Sequence, residues 1–201
     1  MSALRAISDR SRESDDAGLI AESLRRPERF SLLYDRYVAQ IHHYVAGRLG
    51  TQTADDLTAE IFLAAFHDRA GFDPERGQVR GWLYGIATNV VAAHRRRELR
   101  RLEVLRGIPG DRGIVTGHED QVTGQVAAAG MRGPLAAALA ALPDADRDVL
   151  LLAALAELGY EEIGQALGIP TGTVGSRLNR VRKKLRAALG GVNPLNGEAD
   201  G

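Results

Sequence analysis

Seven side chains near the C-terminus have the chemistry to read DNA. Thr173, Ser176, Arg177, Asn179, Arg180, Lys183 and Lys184 lie in a run, Thr171 to Gly190, that holds six basic residues and no acid. Hydroxyl and amide groups match the hydrogen-bonding edges of bases, and guanidinium and ammonium groups neutralise phosphates. A second basic run, Arg80 to Arg106, carries seven arginines and two acids. Between them, Ala141 to Gln165 holds six acids and one arginine. The chain of 201 residues has zero net charge, so its charge is segmented rather than biased. Basic stripes on otherwise balanced segments are the footprint of phosphate binding.

Other chemistries fare poorly. There is no cysteine, which removes thiolate metal sites and cysteine nucleophiles. The five histidines (His42, His43, His67, His94 and His118) show no metal-ligand spacing with carboxylates. Asp55 and Asp56 are adjacent, so on a helix they point about 100° apart and do not face each other as an acid/base pair. Gly168 to Ser176 is glycine-rich but lacks the Gly-Lys-Ser/Thr ending of a phosphate loop. No catalytic residue, metal or cofactor is expected.

The elements that must hold these residues read as helices. Ala, Leu and Arg are abundant and aromatics make up 5%, a mixture that favours helix over sheet. Phe30, Leu33, Tyr34, Tyr37, Ile41, Tyr44, Val45 and Leu49 recur at steps of three and four and predict one helix, ended by Gly50. Thr53 is expected to cap the next, with Asp55 and Asp56 in its first turn, where the dipole favours acids. That helix carries Leu57, Ile61, Phe62, Ala65 and Phe66. A loop over 71–78 precedes a third helix, Val79 to Arg106, apolar in its first half (Trp82, Leu83, Ile86, Ala87, Val90, Val91) and basic in its second. Trp82 reads as core rather than as a stacking platform. Residues 1–18 are polar and read as a frayed tail, 107–134 as a linker with a short helical stretch near 122–129, and 191–201 as a second tail. The fold class is all-α: two small helical domains, 19–106 and 135–190, joined by a flexible linker.

The strongest local pattern runs from Tyr160 to Leu178. Ile163 and Leu167 share one face of a short helix. Gly168 can take the left-handed conformation that a tight turn requires. Ile169 fills the gap, Thr171 is expected to cap the next helix, and Val174 and Leu178 pack it back. This is the spacing of a helix-turn-helix, whose second helix enters the major groove.

Five stretches stand in order along the chain: Phe30-Ser-Leu-Leu-Tyr-Asp-Arg-Tyr37, Ala54-Asp-Asp-Leu-Thr-Ala-Glu-Ile-Phe62, Trp82-Leu-Tyr-Gly-Ile-Ala-Thr-Asn89 with His94-Arg-Arg-Arg97, Leu139-Ala-Ala-Leu-Pro143 and the helix-turn-helix. On these the chain resembles extracytoplasmic-function sigma factors over about 28–106 and 135–189. It implies a sigma region 2 over 19–106 and a sigma region 4 over 135–190. It also implies that Asp55, Asp56, Glu60 and Phe62 meet the clamp helices of the largest RNA polymerase subunit. Arg80, Asn89, Arg95, Arg96 and Arg97 would meet the −10 element, whose flipped base is held by the loop from Phe72 to Arg80. Thr173, Ser176, Arg177, Asn179, Arg180, Arg182 and Lys183 would meet the −35 element. Gly175 departs from the resemblance, standing where relatives carry Lys or Arg, and Gly164 stands where alanine is usual.

The implied partners are core RNA polymerase and promoter DNA, with an anti-sigma factor as a further kind of partner that no residue here identifies. The free chain is expected to be a cytoplasmic monomer without a membrane segment. The 28 residues of 107–134 can extend to about 90–100 Å, enough to bridge promoter elements about 50–70 Å apart. The competing reading is a helix-turn-helix regulator that acts without polymerase, which predicts a dimer on a palindromic site.

Overall fold

A computed structural model describes residues 15–106 and 132–188 of the chain. Most of the expected linker, the stretch near 122–129 and the C-terminal tail lie outside the described residues, as do residues 1–14.

Eight α-helices make up the described chain. Residues 15–23 form α1, which corrects the expectation of a frayed tail as far as residue 18. Asp16, Leu19, Ile20 and Ser23 all turn inward. The Asp16 carboxylate accepts hydrogen bonds from Tyr37 and Arg36, so a polar segment gains an anchor that its composition does not advertise. Burial pushes the Asp16 carboxyl above its ordinary range, opposed by Tyr37 and Arg36.

A 3-10 turn, Pro27–Phe30, leads into α2, Ser31–Leu49, which buries Leu33, Tyr37, Ile41, Tyr44, Val45 and Arg48. Gly50, at φ 85°, both ends α2 and starts α3, Thr51–Asp68. A left-handed glycine permits this reversal in one residue. Thr53 is therefore inside α3 and does not cap it, and Asp55 and Asp56 lie beyond the first turn. The long helix α4, Val79–Arg106, spans about 42 Å. It buries Val79, Leu83, Tyr84, Ala87, Thr88 and Val91. From Arg96 to Arg101 every residue is exposed, so burial ends where the arginines begin.

In the C-terminal half, α5 is Arg132–Ala140, α6 Asp144–Ala154, α7 Tyr160–Leu167 and α8 Thr171–Ala188. Helix thus begins three residues earlier than the expected linker boundary. Pro143 precedes α6, and the Asp146 and Arg147 amides donate to its carbonyl. Gly168 has φ 63°, the left-handed turn the motif requires. Gly164 has its own reason: a Cβ there would lie 2.8 Å from the Ile169 carbonyl oxygen, too close for any side chain. Val174, Leu178, Val181 and Leu185 form the buried stripe of α8.

The two halves are packed together. One continuous apolar cluster contains Val79, Leu83 and Tyr84 of α4 together with Leu158, Ile163 and Val174 of the C-terminal half. Ile163 is fully buried, which contributes about 1.5–3 kcal/mol. A smaller cluster of Leu142, Val181 and Leu185 is private to the C-terminal half.

Candidate nucleic-acid interface

The basic groups expected to meet DNA fall on two helices, α4 and α8, and each helix is pinned by a carboxylate. Gly77 in the loop before α4, and Gly81 and Gly85 on α4, recur every four residues along the side that meets α7. At Gly85 a Cβ would lie 2.9 Å from the Ala166 carbonyl oxygen, and at Gly81 it would lie 3.3 Å from that of Glu162. Absent side chains let the two backbones approach. Gln165 then reaches back: its Oε1 accepts from the Gln78 amide at 2.9 Å and its Nε2 donates to the Gln78 carbonyl at 2.8 Å.

Arg80 completes this seam. Its Nη1 donates to both Glu162 oxygens, at 2.9 and 3.2 Å, and its Nη2 donates to the Ala156 carbonyl at 2.6 Å. The pair is 27% and 18% exposed, so it is shielded from screening more than a surface pair would be. Glu162 also accepts from the Gly159 amide, which caps α7. The Arg80 guanidinium lies 5.8 Å from the centre of the Tyr84 ring. Burial pushes the Tyr84 hydroxyl up to about 12. A cleft of about 510 Å³ opens beside the seam, lined by Phe72, Pro74, Arg76 and Gln78 on one side and by Glu161 and Glu162 on the other. The expected base-holding loop therefore faces two carboxylates.

A second tie joins α2 to α6. Arg48, buried at 7%, donates to Asp148 and to the Tyr44 hydroxyl. At Gly47 a Cβ would meet Leu155 at 2.6 Å.

The remaining α4 groups differ in availability. Asn89, Arg96 and Arg97 are exposed. Arg97 sits 3.5 Å from Glu60. Arg95 is half-buried, and burial, then the Arg48 and Arg147 charges, holds it below the ordinary arginine range. Trp82 is half-buried and packs on Phe72 with ring centres 5.4 Å apart, as core.

On α3, Asp55 is 80% exposed, with His42 at 3.0 Å, and Asp56 and Glu60 are exposed as well. Phe62 corrects the expectation. It is 4% exposed and stacks edge-on against Tyr34 at 4.8 Å, so it cannot meet a partner surface. The apolar groups that do face outward there are Leu63, at 58%, and Tyr34, at 43%. The periodicity alone placed Phe62 on the stripe with Leu57 and Ile61, which is the signal that could have told these apart.

On α8, Ser176, Asn179, Arg180, Arg182 and Lys183 are exposed, while Thr173 and Arg177 are half-buried. Ser176 donates to the Thr173 carbonyl, and Arg177 reaches the Ala145 carbonyl at 3.4 Å. Arg180 is held by Asp146, a buried carboxylate that the sequence did not single out. The ring of Tyr160 lies over Gly175, where a Cβ would sit at an ordinary 3.5 Å.

Among the described residues no group of three His, Asp or Glu side chains could hold a metal ion. No helix among them is long and apolar enough to cross a membrane.

Comparison with known proteins completes the picture. Residues 33–101 match Sigma-70 region 2, and residues 132–185 match Sigma-70, region 4. The chain is 37% identical to the ECF RNA polymerase sigma factor SigE of Mycolicibacterium smegmatis, over 68% of this chain and 51% of that protein. It is 30% identical to the ECF RNA polymerase sigma factor SigW of Bacillus subtilis, over 80% of this chain and 88% of that one. The solved structure of CnrH in complex with the cytosolic domain of CnrY superposes with a TM-score of 0.60 at 24% identity, covering 87% of this chain and 97% of CnrH. The helical architecture is thus shared with that protein.

Proposed function

The chain belongs to the extracytoplasmic-function RNA polymerase sigma factors, and from that premise we propose how its residues divide the work of directing transcription initiation. The half spanning 19–106 docks on core polymerase and engages −10 DNA; the half spanning 135–190 engages −35 DNA, with 107–134 as the link. Asp55, Asp56 and Glu60 on α3 meet the largest-subunit clamp helices as a charged rim, beside Leu63 and Tyr34 as the apolar contact. Phe62 supports Tyr34 from beneath. Asn89 reads the −10 strand, and Arg80, Arg95, Arg96 and Arg97 neutralise its backbone. Thr173, Ser176, Asn179 and Arg180 face −35 base edges, and Arg177, Arg182 and Lys183 face phosphates.

The observation that carries this reading is the order of two family regions, each with hydrogen-bonding and basic side chains on an exposed helix face. A regulator acting without polymerase has no use for the match to region 2. The protein does no chemistry of its own, needs no cofactor or metal, and works where RNA polymerase works, in the cytoplasm. CnrH is solved with CnrY, and this chain fits the same kind of partner, an anti-sigma factor.

The closed arrangement is the form of the free monomer. A phosphate must compete with Glu162 and the Ala156 carbonyl for the two terminal nitrogens of Arg80, and Glu161 and Glu162 repel a backbone entering the cleft. Promoter engagement therefore requires α7 to leave α4.

The test is transcription in vitro from genomic DNA with core polymerase, with and without the protein, reading RNA 5′ ends. Discrete new start sites sharing two upstream elements at fixed spacing are expected. Absence of new start sites, together with dimeric binding to a palindrome by the chain alone, would overturn the reading.

A further inference from the structure

The ion pair between Arg180 and Asp146 has a geometry that selects what Arg180 can read. A guanidinium presents five N–H donors in a rigid plane. The Arg180 Nε donates to Asp146 Oδ2 at 3.0 Å and its Nη2 donates to Oδ1 at 2.9 Å. Both bonds lie along one side of the plane. The opposite end, with an N–H from each of Nη1 and Nη2, stays open. The Arg180 side chain is 54% exposed while that of Asp146 is 4% exposed. The carboxylate is therefore fixed in the protein and the free end of the fork points outward, on the face that carries Ser176.

We propose that Asp146 is a positioning residue that aims Arg180 at a guanine in the upstream promoter element. This rests on the reading of α8 as the −35 helix and adds to it the base. Two parallel donors fit the O6 and N7 acceptors of guanine, and no other base edge in the major groove offers two acceptors side by side. A free arginine side chain loses considerable rotamer freedom on binding. Here that ordering has already occurred on folding, because Asp146 holds the side chain before DNA arrives. The buried carboxylate also fixes the reach of Arg180: with one side of its plane held, the side chain cannot swing to follow a phosphate away from the direction in which its free end points. Asp146 and Arg180 lie within the C-terminal half, so the pair survives separation of the two halves.

The experiment uses the full chain with core polymerase on a template pool randomised across the upstream element, with sequencing of the templates that yield RNA. The wild type should enrich guanine at one position by about 5-fold or more. Arg180→Ala should lose that preference, and Arg180→Lys should weaken it, because an ammonium cannot hold the Asp146 carboxylate on one side and present two fixed donors on the other. Asp146→Asn should weaken the preference at the same position and leave the other upstream positions as they are. If Asp146→Asn lowers initiation evenly over all templates, or leaves the guanine preference intact, Asp146 only anchors α8 and the proposal fails. If Arg180→Ala changes no single position, Arg180 is not the reader. If the wild type starts RNA chains with no upstream preference at all, the reading of α8 itself falls. Thermal unfolding of each variant separates loss of fold from loss of preference.

Discussion

The seams α4–α7 and α6–α8 are both built on an arginine and a carboxylate, yet they do opposite things. Arg80 and Glu162 join the two halves of the molecule; Arg180 and Asp146 join neighbours within one half. In the first pair the two terminal nitrogens, Nη1 and Nη2, are both bonded to protein, so the end of the fork is occupied. In the second, one end of the guanidinium is kept open by the way the other is held. A pair that consumes its arginine must break before DNA can use it. A pair that orients its arginine can stay through binding. On the proposed reading the two carboxylates act with opposite sign on promoter engagement, one as a competitor for the DNA and one as a support.

The largest effect should come from preventing separation. The chain lacks cysteine, so Gln78→Cys with Gln165→Cys can be joined by a short, cleavable cross-linker. Cross-linked protein should lose promoter-dependent transcription, and cleavage should restore it. Forcing the seam apart is the converse. Gly85→Val places a side chain against the Ala166 carbonyl, an overpacking that costs about 1–3 kcal/mol. The melting temperature should fall, while the free chain binds promoter DNA about 5- to 150-fold more tightly as the closed form is disfavoured.

Smaller changes separate the two carboxylates. Glu162→Gln should release Arg80 and raise DNA affinity of the free chain, with a steeper salt dependence by about one phosphate contact. Asp146→Asn should do neither and should cost upstream base preference. Binding isotherms at several salt concentrations distinguish them, and the same sign for both variants would break the comparison. The mildest expected change is Gly175→Lys. Its Cβ has room beside Tyr160, and a lysine gains up to about 1 kcal/mol over glycine in a helix interior. Thermal melts should rise slightly, and upstream DNA affinity should increase without a change in base preference.

The sequence made the architecture legible where local chemistry dictates it. Gly50 and Gly168 mark reversals that only a glycine takes easily, and the steps of three and four on α2 and α8 fall on the buried faces. What stayed hidden depends on partners distant in the chain. The Gly77, Gly81 and Gly85 spacing says nothing until α7 lies on it. Asp146 resembles any acid in a first turn until Arg180, 34 residues on, is seen to reach it. The resemblance points Phe62 outward while its place on the stripe with Ile61 turns it inward, and the stripe prevails; the start of α1 escapes apolar periodicity because its inward residue there is Asp16.

The most direct test is a distance. Cysteines introduced at the exposed positions Ala39 on α2 and Ala187 on α8 carry a donor and an acceptor dye. Energy transfer is then read in the free chain, with core polymerase, and with polymerase and promoter. Transfer should be high in the free chain and collapse in the promoter complex, where the two elements lie about 50–70 Å apart. High transfer that persists in a complex actively making RNA would contradict the opening of the α4–α7 seam.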